Sequence, residues 1–438
     1  MEILGILLGL ALLMFLAFRG WSILWAAPLA ALVVAVFNQA PLLDSYIGPY
    51  MLGLSTFARN WFPVFMLGAI FGKLMEFTGM AKSIAIKLSS LIGKERAILA
   101  VIVSCAVLTY GGISLFVVVF AVYPLALNLF REANISRKIL PAVIAVGAFT
   151  FTMTAVPGTP QIQNIIPTQF FHTDAMAAPI MGIVASIIIV VLAYLYLIHR
   201  QKQMAAAGEV FIEPAEKQET TSGEKLPSPL LSIVPLITVI LTFNLLTRIV
   251  EGMTAARAII PALALAIVLI LLFSLSKRKE FVKSINAGAT GSLIAIMNTS
   301  AAVGFGAVVQ NMDAFQGLAD IMFNIPGTPL ISCAIAVTAL AGVTGSASGG
   351  MAIALQALGE QFYQLAHQTG ISPEAFHRVA AIASGGLDTL PHNGAVLTVF
   401  AITGMTHKES YKDIFLAAVL VPIIALAVVI GLASLGIY

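Results

Sequence analysis

Residues 97–130 decide the fold: they read AILAVIVSCAVLTYGGISLFVVVFAVYPLALNLF, and the basic residues Lys94, Arg96 and Arg131 flank them. Lys and Arg concentrate on the cytoplasmic side of a membrane, so both ends of this apolar stretch belong on that side. Two full crossings would need about 20 residues each, and only 14 residues precede the glycine pair in Tyr110–Gly112. The stretch therefore predicts a re-entrant hairpin that enters from the inside and turns near Tyr110–Gly112.

The composition of the whole chain supports a place in the bilayer. Of 438 residues, 59% are hydrophobic and 10% are charged, whereas a soluble domain carries about 25% charged residues. The net charge of +3 reflects Lys and Arg in loops, as the positive-inside rule expects, and we predict no nucleic-acid partner. We expect a multi-pass protein of the cell (inner) membrane. Apolar runs of spanning length include Ile180–Ile198, Pro229–Leu246, Ala258–Leu275 and Ile414–Leu435.

A polar segment divides the chain into similar halves. Residues 199–228 are rich in Glu, Lys, Ser and Pro and predict a solvated cytoplasmic linker between residues 1–198 and 229–438. Six pairs of matching residues recur at one spacing of 238, among them Gly68-Ala69 with Gly306-Ala307 and Gly111-Gly112 with Gly349-Gly350. This pattern indicates an internal repeat.

Loop charges indicate that the repeats have opposite orientation. The segment of the second half that matches the first hairpin, about residues 328–366, should be a hairpin that enters from outside, because no Lys or Arg occurs from Asn286 to His377. The first apolar run, from Ile3 to Phe18, lacks the basic region of a signal peptide and predicts a retained first helix. We predict an all-α membrane protein of two inverted-topology repeats, each with transmembrane helices, a re-entrant hairpin and a broken helix.

Each hairpin precedes a helix that proline and polar residues interrupt. Residues 152–164 read TMTAVPGTPQIQN, and residues 388–394 read DTLPHNG. Proline cannot donate to the helix ladder, and irregular backbone at membrane depth persists only where it lines a cavity or is buried in protein. Paired broken segments in two halves are typical of a transporter binding site. The sequence therefore predicts a site near mid-bilayer, where both hairpin tips and both broken helices meet.

The tips and the broken segments supply neutral donors and one carboxylate. Glycines allow close backbone approach, and a helix that starts after a tip presents free N–H groups to an anion. The alternative use of these small residues is close helix packing. The predicted binding residues are Tyr110, Gly111, Gly112, Ser114, Thr159, Gln161, Gln163, Asn164, Ser346, Ser348, Gly349, Gly350, Thr389, His392 and Asn393.

An ionisable residue inside the membrane is by default functional. We therefore assign the coupling cation to Asp388, with His392 as a proton relay or substrate contact; the alternative is a structural Asp–His pair or a helix cap. Lys73 and Glu76 are three residues apart and could pair with each other. Asn298-Thr299-Ser300 and Gln310-Asn311 are further polar residues, for which we favour a structural role.

Motifs of soluble enzymes do not occur in this sequence. It contains no HExxH, Walker A or G-x-S-x-G pattern, and we predict no enzyme, no cofactor and no metal centre. The two cysteines, Cys105 and Cys333, lie in apolar runs and are assigned to packing. An intramembrane serine hydrolase, with the Gly345–Gly350 stretch and His392 as base, and a passive channel are the alternatives from other classes.

Four stretches resemble the gluconate permease (GntP) family, closest to its D-β-hydroxybutyrate permease branch. They are LTYGGISLFVVVFAVYPLAL, AFTFTMTAVPGTPQIQNIIPTQFF, GSASGGMAIAL and ASGGLDTLPHNGAVLT. The resemblance implies symport of an organic acid, usually with protons, and an elevator-like motion in a homodimer. It places the site on Gly111, Gly112, Pro157, Asn164, Ser348, Gly349, Asp388, His392 and Asn393.

Two departures from the family bear on the substrate. Gluconate-type members have an acidic residue near the first tip and a histidine in the first broken segment, where this chain has Tyr110–Gly112 and Val156–Gly158. We therefore expect a proton-coupled (alternatively sodium-coupled) importer of a short hydroxy-monocarboxylate such as 3-hydroxybutyrate. A gluconate or other sugar-acid symporter is the alternative within transport.

Overall fold

The structure is a computed structural model that describes residues 2–19, 21–214, 226–315, 317, 326–391 and 393–438. Within these ranges the chain is helical and contains no strand. The helices before the linker are α1 (Glu2–Phe18), α2 (Ile23–Phe37), α3 (Leu42–Ser45), α4 (Met51–Phe77), α5 (Met80–Ile92), α6 (Ala97–Tyr110), α7 (Leu115–Glu132), α8 (Leu140–Phe149), α9 (Phe151–Thr154), α10 (Ile162–Phe171) and α11 (Pro179–Ala206).

The described residues after the linker form a second group of long, paired and interrupted helices. Its helices are α12 (Pro229–Ile249), α13 (Ala255–Phe273), α14 (Phe281–Gln310), α15 (Pro329–Thr344), α16 (Ala347–Thr369), α17 (Pro373–Ser384), α18 (Gly394–Thr403), α19 (His407–Ile414) and α20 (Val421–Ser434). The opposite orientation of the two halves stays a prediction.

The prediction of an all-helical membrane protein is confirmed. Among the described residues, six helices are long and apolar enough to cross a membrane. A seventh span results if Leu42–Phe77 and Met80–Ile92, which meet at an angle of 65°, count as one. Many large apolar side chains lie on the protein surface, as in Leu195 of α11 and Leu241 of α12, where lipid replaces water as the solvent.

Helices α4 and α14 pack against each other in antiparallel fashion at the centre. Small residues bring the two backbones close, as is usual between membrane helices. A Cβ atom added to Gly53 would lie 2.6 Å from the Cβ of Ala307, and one added to Gly288 would lie 2.7 Å from the Cα of Ile70. The start of α4 therefore adjoins the end of α14, and the end of α4 adjoins the start of α14.

Both predicted hairpin segments are helix–turn–helix units. Helices α6 and α7 are joined at residues 111–114, and α15 and α16 at residues 345–346. Helix α6 has 14 residues, which corresponds to about 21 Å at 1.5 Å per residue and is shorter than the ~30 Å hydrocarbon core. The length of α6 therefore agrees with a hairpin that enters without crossing, which stays a prediction.

The chain leaves helical geometry in both predicted broken segments. In the first half, α8 and α9 are separated at Thr150, and an irregular stretch precedes α10. In the second half, α17 ends at Ser384, a single turn follows at Leu387–Thr389, and α18 begins at Gly394.

The helix before the linker is longer than predicted. Helix α11 continues to Ala206, eight residues beyond the predicted boundary at 198. Its last two turns carry polar residues and remain helical, and the Arg200 guanidinium donates to Asp413 over 3.1 Å. Of the predicted linker, the structure describes residues 199–214 and 226–228.

Candidate functional site

A cavity of about 760 Å3 lies where the two hairpin tips, the two broken segments and the α4–α14 pair meet. We call it the inner cavity, because Lys73 and Ala287 in its lining lie near the ends of α4 and α14 that we predict to be cytoplasmic. Its polar lining consists of Ser22, Lys73, Ser114, Gln161, Gln163, Ser292, Asn298, Thr299, Thr344, Ser346, Ser348, Asp388 and Asn393.

Each tip presents the start of a long helix to this cavity. Ser114 precedes α7 and Ser346 precedes α16, and both serines line the cavity. The first N–H groups of a helix have no partner in the helix itself, so both tips offer donors and the positive end of a helix dipole. Gly112 forms the first turn with a φ of +90°, a conformation that favours glycine.

In each broken segment, the residue that precedes the second helix also donates a hydrogen bond to a hairpin tip. Gln161 precedes α10 and donates its amide N–H to the Thr109 carbonyl of the first tip. Asn393 precedes α18 and donates to the Gly345 carbonyl of the second tip over 2.8 Å. The Asn393 Oδ1 accepts from two backbone N–H groups of α18, so this side chain links the start of α18 to the second tip.

Three buried oxygen acceptors in the cavity wall lack a partner. Gln163 Oε1, Asn298 Oδ1 and Asp388 Oδ1 accept no hydrogen bond from any described residue. Gln163 is 8% exposed and Asp388 is 4% exposed. A buried acceptor left unpaired costs about 1–3 kcal/mol, so these three positions suit a ligand that brings hydrogen-bond donors or a cation.

Two predicted tip positions are in close contact with neighbouring helices. A Cβ atom on Gly111 would lie 2.4 Å from Leu236 Cγ, and one on Gly350 would lie 2.1 Å from the Ala341 backbone nitrogen. Gly349 lies in the first turn of α16, where its N–H donates to Ser346 Oγ. The Tyr110 hydroxyl donates to the Pro157 carbonyl. None of these four predicted binding residues lines the inner cavity.

The correspondence between the two tips differs from the predicted one. At a spacing of 238, Gly111-Gly112 matches Gly349-Gly350, but the first pair lies in the turn and the second inside α16. The residues before the helices match at a spacing of 232 instead: Ser114 with Ser346, and Gln161 with Asn393. The number of residues between α4 and the first hairpin thus differs from the number between α14 and the second hairpin.

Thr159 and Asn164 belong to a buried network behind the cavity wall. The Thr159 hydroxyl donates to the Thr152 carbonyl, and Asn164 donates to the carbonyls of Thr159 and Ala175. Asn164 Oδ1 accepts from the guanidinium of Arg378 over 2.9 Å. These two predicted binding residues therefore fix the shape of the first broken segment.

Arg378 is the main residue that the sequence did not reveal. Its side chain is fully buried, and it also donates to the carbonyls of Ala155, Ala175 and Ala177. It thus satisfies backbone groups that the broken helix leaves free. The only sequence signal was a lone arginine in a stretch otherwise free of basic residues.

The remaining candidates separate into three groups. The Lys73 ammonium forms an ion pair with Glu76 at 2.9 Å, as the structural alternative predicted, although Lys73 also lines the inner cavity. Gln310-Asn311 line a different cavity. His392, predicted as a proton relay, lies outside the described residues.

Paired hairpins, interrupted helices and a polar cavity inside a bundle of membrane helices define a membrane transport protein. The model of the GntP family of permeases matches residues 1–436. The chain belongs to the GntP permease family, and the prediction that it is not an enzyme is confirmed.

Two relatives show how far the similarity extends. An uncharacterized transporter of Bacillus subtilis (strain 168), YxjC, is 43% identical, and the match covers 99% of each chain. An uncharacterized permease of Haemophilus influenzae is 25% identical over 80% of this chain and 76% of its own length. The similarity to YxjC thus includes both hairpins and both broken segments.

Proposed function

We propose that the chain is a symporter that imports a short hydroxy-monocarboxylate, such as 3-hydroxybutyrate, together with protons. The observation that carries this proposal is the set of unpaired oxygens of Gln163, Asn298 and Asp388 in a cavity whose lining also carries donors at the hairpin tips. Such a lining combines donors for an anion with acceptors for a hydroxyl group and a proton.

The carboxylate of the substrate would bind at the tips. The free N–H groups at the starts of α7 and α16 favour negative charge, and the hydroxyls of Ser114 and Ser348 line the same cavity. The Lys73 ammonium, which is paired with Glu76, is a further donor in the lining. A carboxylate bound at the tips would lie away from the unpaired oxygens of Gln163, Asn298 and Asp388, which would repel it.

The substrate hydroxyl would donate to Asn298 Oδ1 or Gln163 Oε1. A site built to accept a hydrogen bond discriminates against an analogue that lacks the hydroxyl, because its buried acceptor is then left unpaired. One such bond contributes about 0.5–1.5 kcal/mol, which corresponds to about 2–12-fold in affinity. The proposal therefore favours 3-hydroxybutyrate over butyrate.

The coupling proton would bind at Asp388. Among the described residues, Asp388 is the one carboxylate in the lining of the inner cavity, and an uncompensated charge at membrane depth is costly. A proton on Oδ1 would neutralise the side chain during transport. In the same scheme His392 would relay the proton, and sodium is the alternative coupling ion.

The test is substrate competition in proteoliposomes. Unlabelled 3-hydroxybutyrate, butyrate and gluconate compete with labelled 3-hydroxybutyrate for uptake by wild type and Asn298→Ala. We expect 3-hydroxybutyrate to compete most strongly in wild type, and Asn298→Ala to bring it within about twofold of butyrate. Gln364→Ala, an exposed amide on α16, is the matched control and should keep the wild-type order. Stronger competition by gluconate would favour a sugar-acid symporter and contradict the proposal.

A further inference from the structure

A second cavity, of about 680 Å3, lies at the opposite end of the α4–α14 pair, and we call it the outer cavity. It is lined by the start of α4, the end of α14, the middle of α16 and the end of α10. Its lining includes amide side chains and an indole but, in the described part of the chain, no Lys, Arg, Asp or Glu. The residues that matter here are Asn60, Trp61, Gln169, Gln310, Asn311 and Gln356.

The two cavities use corresponding positions of α4 and α14. At the spacing of 238, Gly53 and Asn60 of the outer cavity correspond to Gly291 and Asn298 of the inner cavity. In the other direction, Ala69 of the inner cavity corresponds to Ala307 of the outer cavity. Because the two helices are antiparallel, corresponding positions of α4 and α14 lie at opposite ends of the pair, one in each cavity.

Helix α16 borders both cavities. Ser348 lines the inner cavity, and Ala352, four residues later, lines the outer one; four residues correspond to about 6 Å along a helix. Trp61 of α4 is 2% exposed and lines only the outer cavity. The wall between the cavities is therefore thin along α16, which packs against α14.

We propose that the outer cavity is a loading site for the same small hydroxylated acid, in which Asn60 takes the part that Asn298 takes in the inner cavity. The inference rests on the proposed function for the identity of the ligand. The cavities differ in their ionisable groups, because Lys73 of the inner cavity, which is paired with Glu76, corresponds to Asn311 of the outer cavity. The outer site thus binds an anion through neutral donors only, and it holds the acid more weakly than the inner site.

The experiment is one-sided cysteine labelling of vesicles with a membrane-impermeant maleimide. Gln310→Cys reports on the outer cavity and Ala287→Cys on the inner cavity; both positions are exposed. Wild type provides the blank, because Cys105 and Cys333 are fully buried. We expect the two variants to be labelled from opposite sides, and 3-hydroxybutyrate to slow labelling at both positions by at least about threefold. Asn60→Ala should remove the protection of Gln310→Cys and leave that of Ala287→Cys.

The outcomes separate this inference from the proposed function. Protection of Ala287→Cys alone would overturn the loading site and leave the proposed function standing. Protection of neither position would overturn both. Labelling of both variants from the same side would overturn the placement of the outer cavity, and protection of Gln310→Cys that survives in Asn60→Ala would remove Asn60 from the site. Each variant is first required to elute as wild type in size-exclusion chromatography.

Discussion

Gly350→Ala tests how closely the arms of the second hairpin must approach to position its tip. The added Cβ would lie 2.1 Å from the Ala341 nitrogen and 2.2 Å from the Ala341 Cα. Real Cβ contacts do not fall below 3.0 Å, so α15 and α16 must separate by about 1 Å. Backbone atoms cannot rotate away as a side chain can, and overpacking of this kind costs about 1–3 kcal/mol.

The separation would also move Ser346, which lies one turn before Gly350 and lines the inner cavity. We expect Gly350→Ala to lower the thermal midpoint of the purified protein by at least about 2 °C and to raise the half-saturating concentration for uptake several-fold. Gly431→Ala is the matched control, because a Cβ there meets nothing within 4 Å. A Gly350→Ala variant with wild-type midpoint and uptake would refute this reasoning.

Three further predictions concern the surroundings of the site. Arg378→Lys should lower the thermal midpoint, because each buried carbonyl left unpaired costs about 1–3 kcal/mol; an unchanged midpoint would contradict the role of the guanidinium. Asn393→Ala should weaken uptake more than Thr328→Ala, a helix-cap change away from the cavity. The Arg131 guanidinium holds the pKa of the Glu213 carboxyl below its ordinary value. The Arg131–Glu213 ion pair should therefore persist at pH values above the ordinary pKa of Glu213 and be lost as the pH falls. Its loss should be seen as faster hydrogen exchange at residues 211–213.

Charge and length in the sequence were sufficient to locate the helix pairs. The basic residues Lys94, Arg96 and Arg131 and the short run before the glycine pair predicted a turn near Tyr110–Gly112, and the structure turns at residues 111–114. Proline and polar residues likewise marked both interruptions. These signals are local, because charge placement and helix breaking depend on a few neighbouring residues.

The roles of single small residues were not predictable, because they depend on tertiary contacts. Gly112 forms the turn, whereas Gly111 and Gly350 allow close packing against Leu236 and Ala341. A spacing of 238 residues relates corresponding positions of α4 and α14, but the residues at the hairpin tips correspond at a spacing of 232. Only the packing of distant segments distinguishes these uses of glycine.

The role of Arg378 and the presence of the outer cavity were not predictable for the same reason, because both depend on contacts between distant segments. Arg378 satisfies carbonyls near residues 155 and 175–177, more than 200 positions earlier in the chain. Asn60 carries no unusual signal in the sequence, and its significance follows from its correspondence with Asn298 across the α4–α14 pair.

The most direct test of the central claim is accumulation of labelled 3-hydroxybutyrate in proteoliposomes with an imposed proton gradient, compared with counterflow exchange without a gradient. We predict that wild type performs both, and that Asp388→Asn loses accumulation but keeps exchange. Glu360→Gln, an exposed carboxylate on α16, is the control and should behave as wild type. Proton-driven accumulation at the wild-type level by Asp388→Asn would contradict the account.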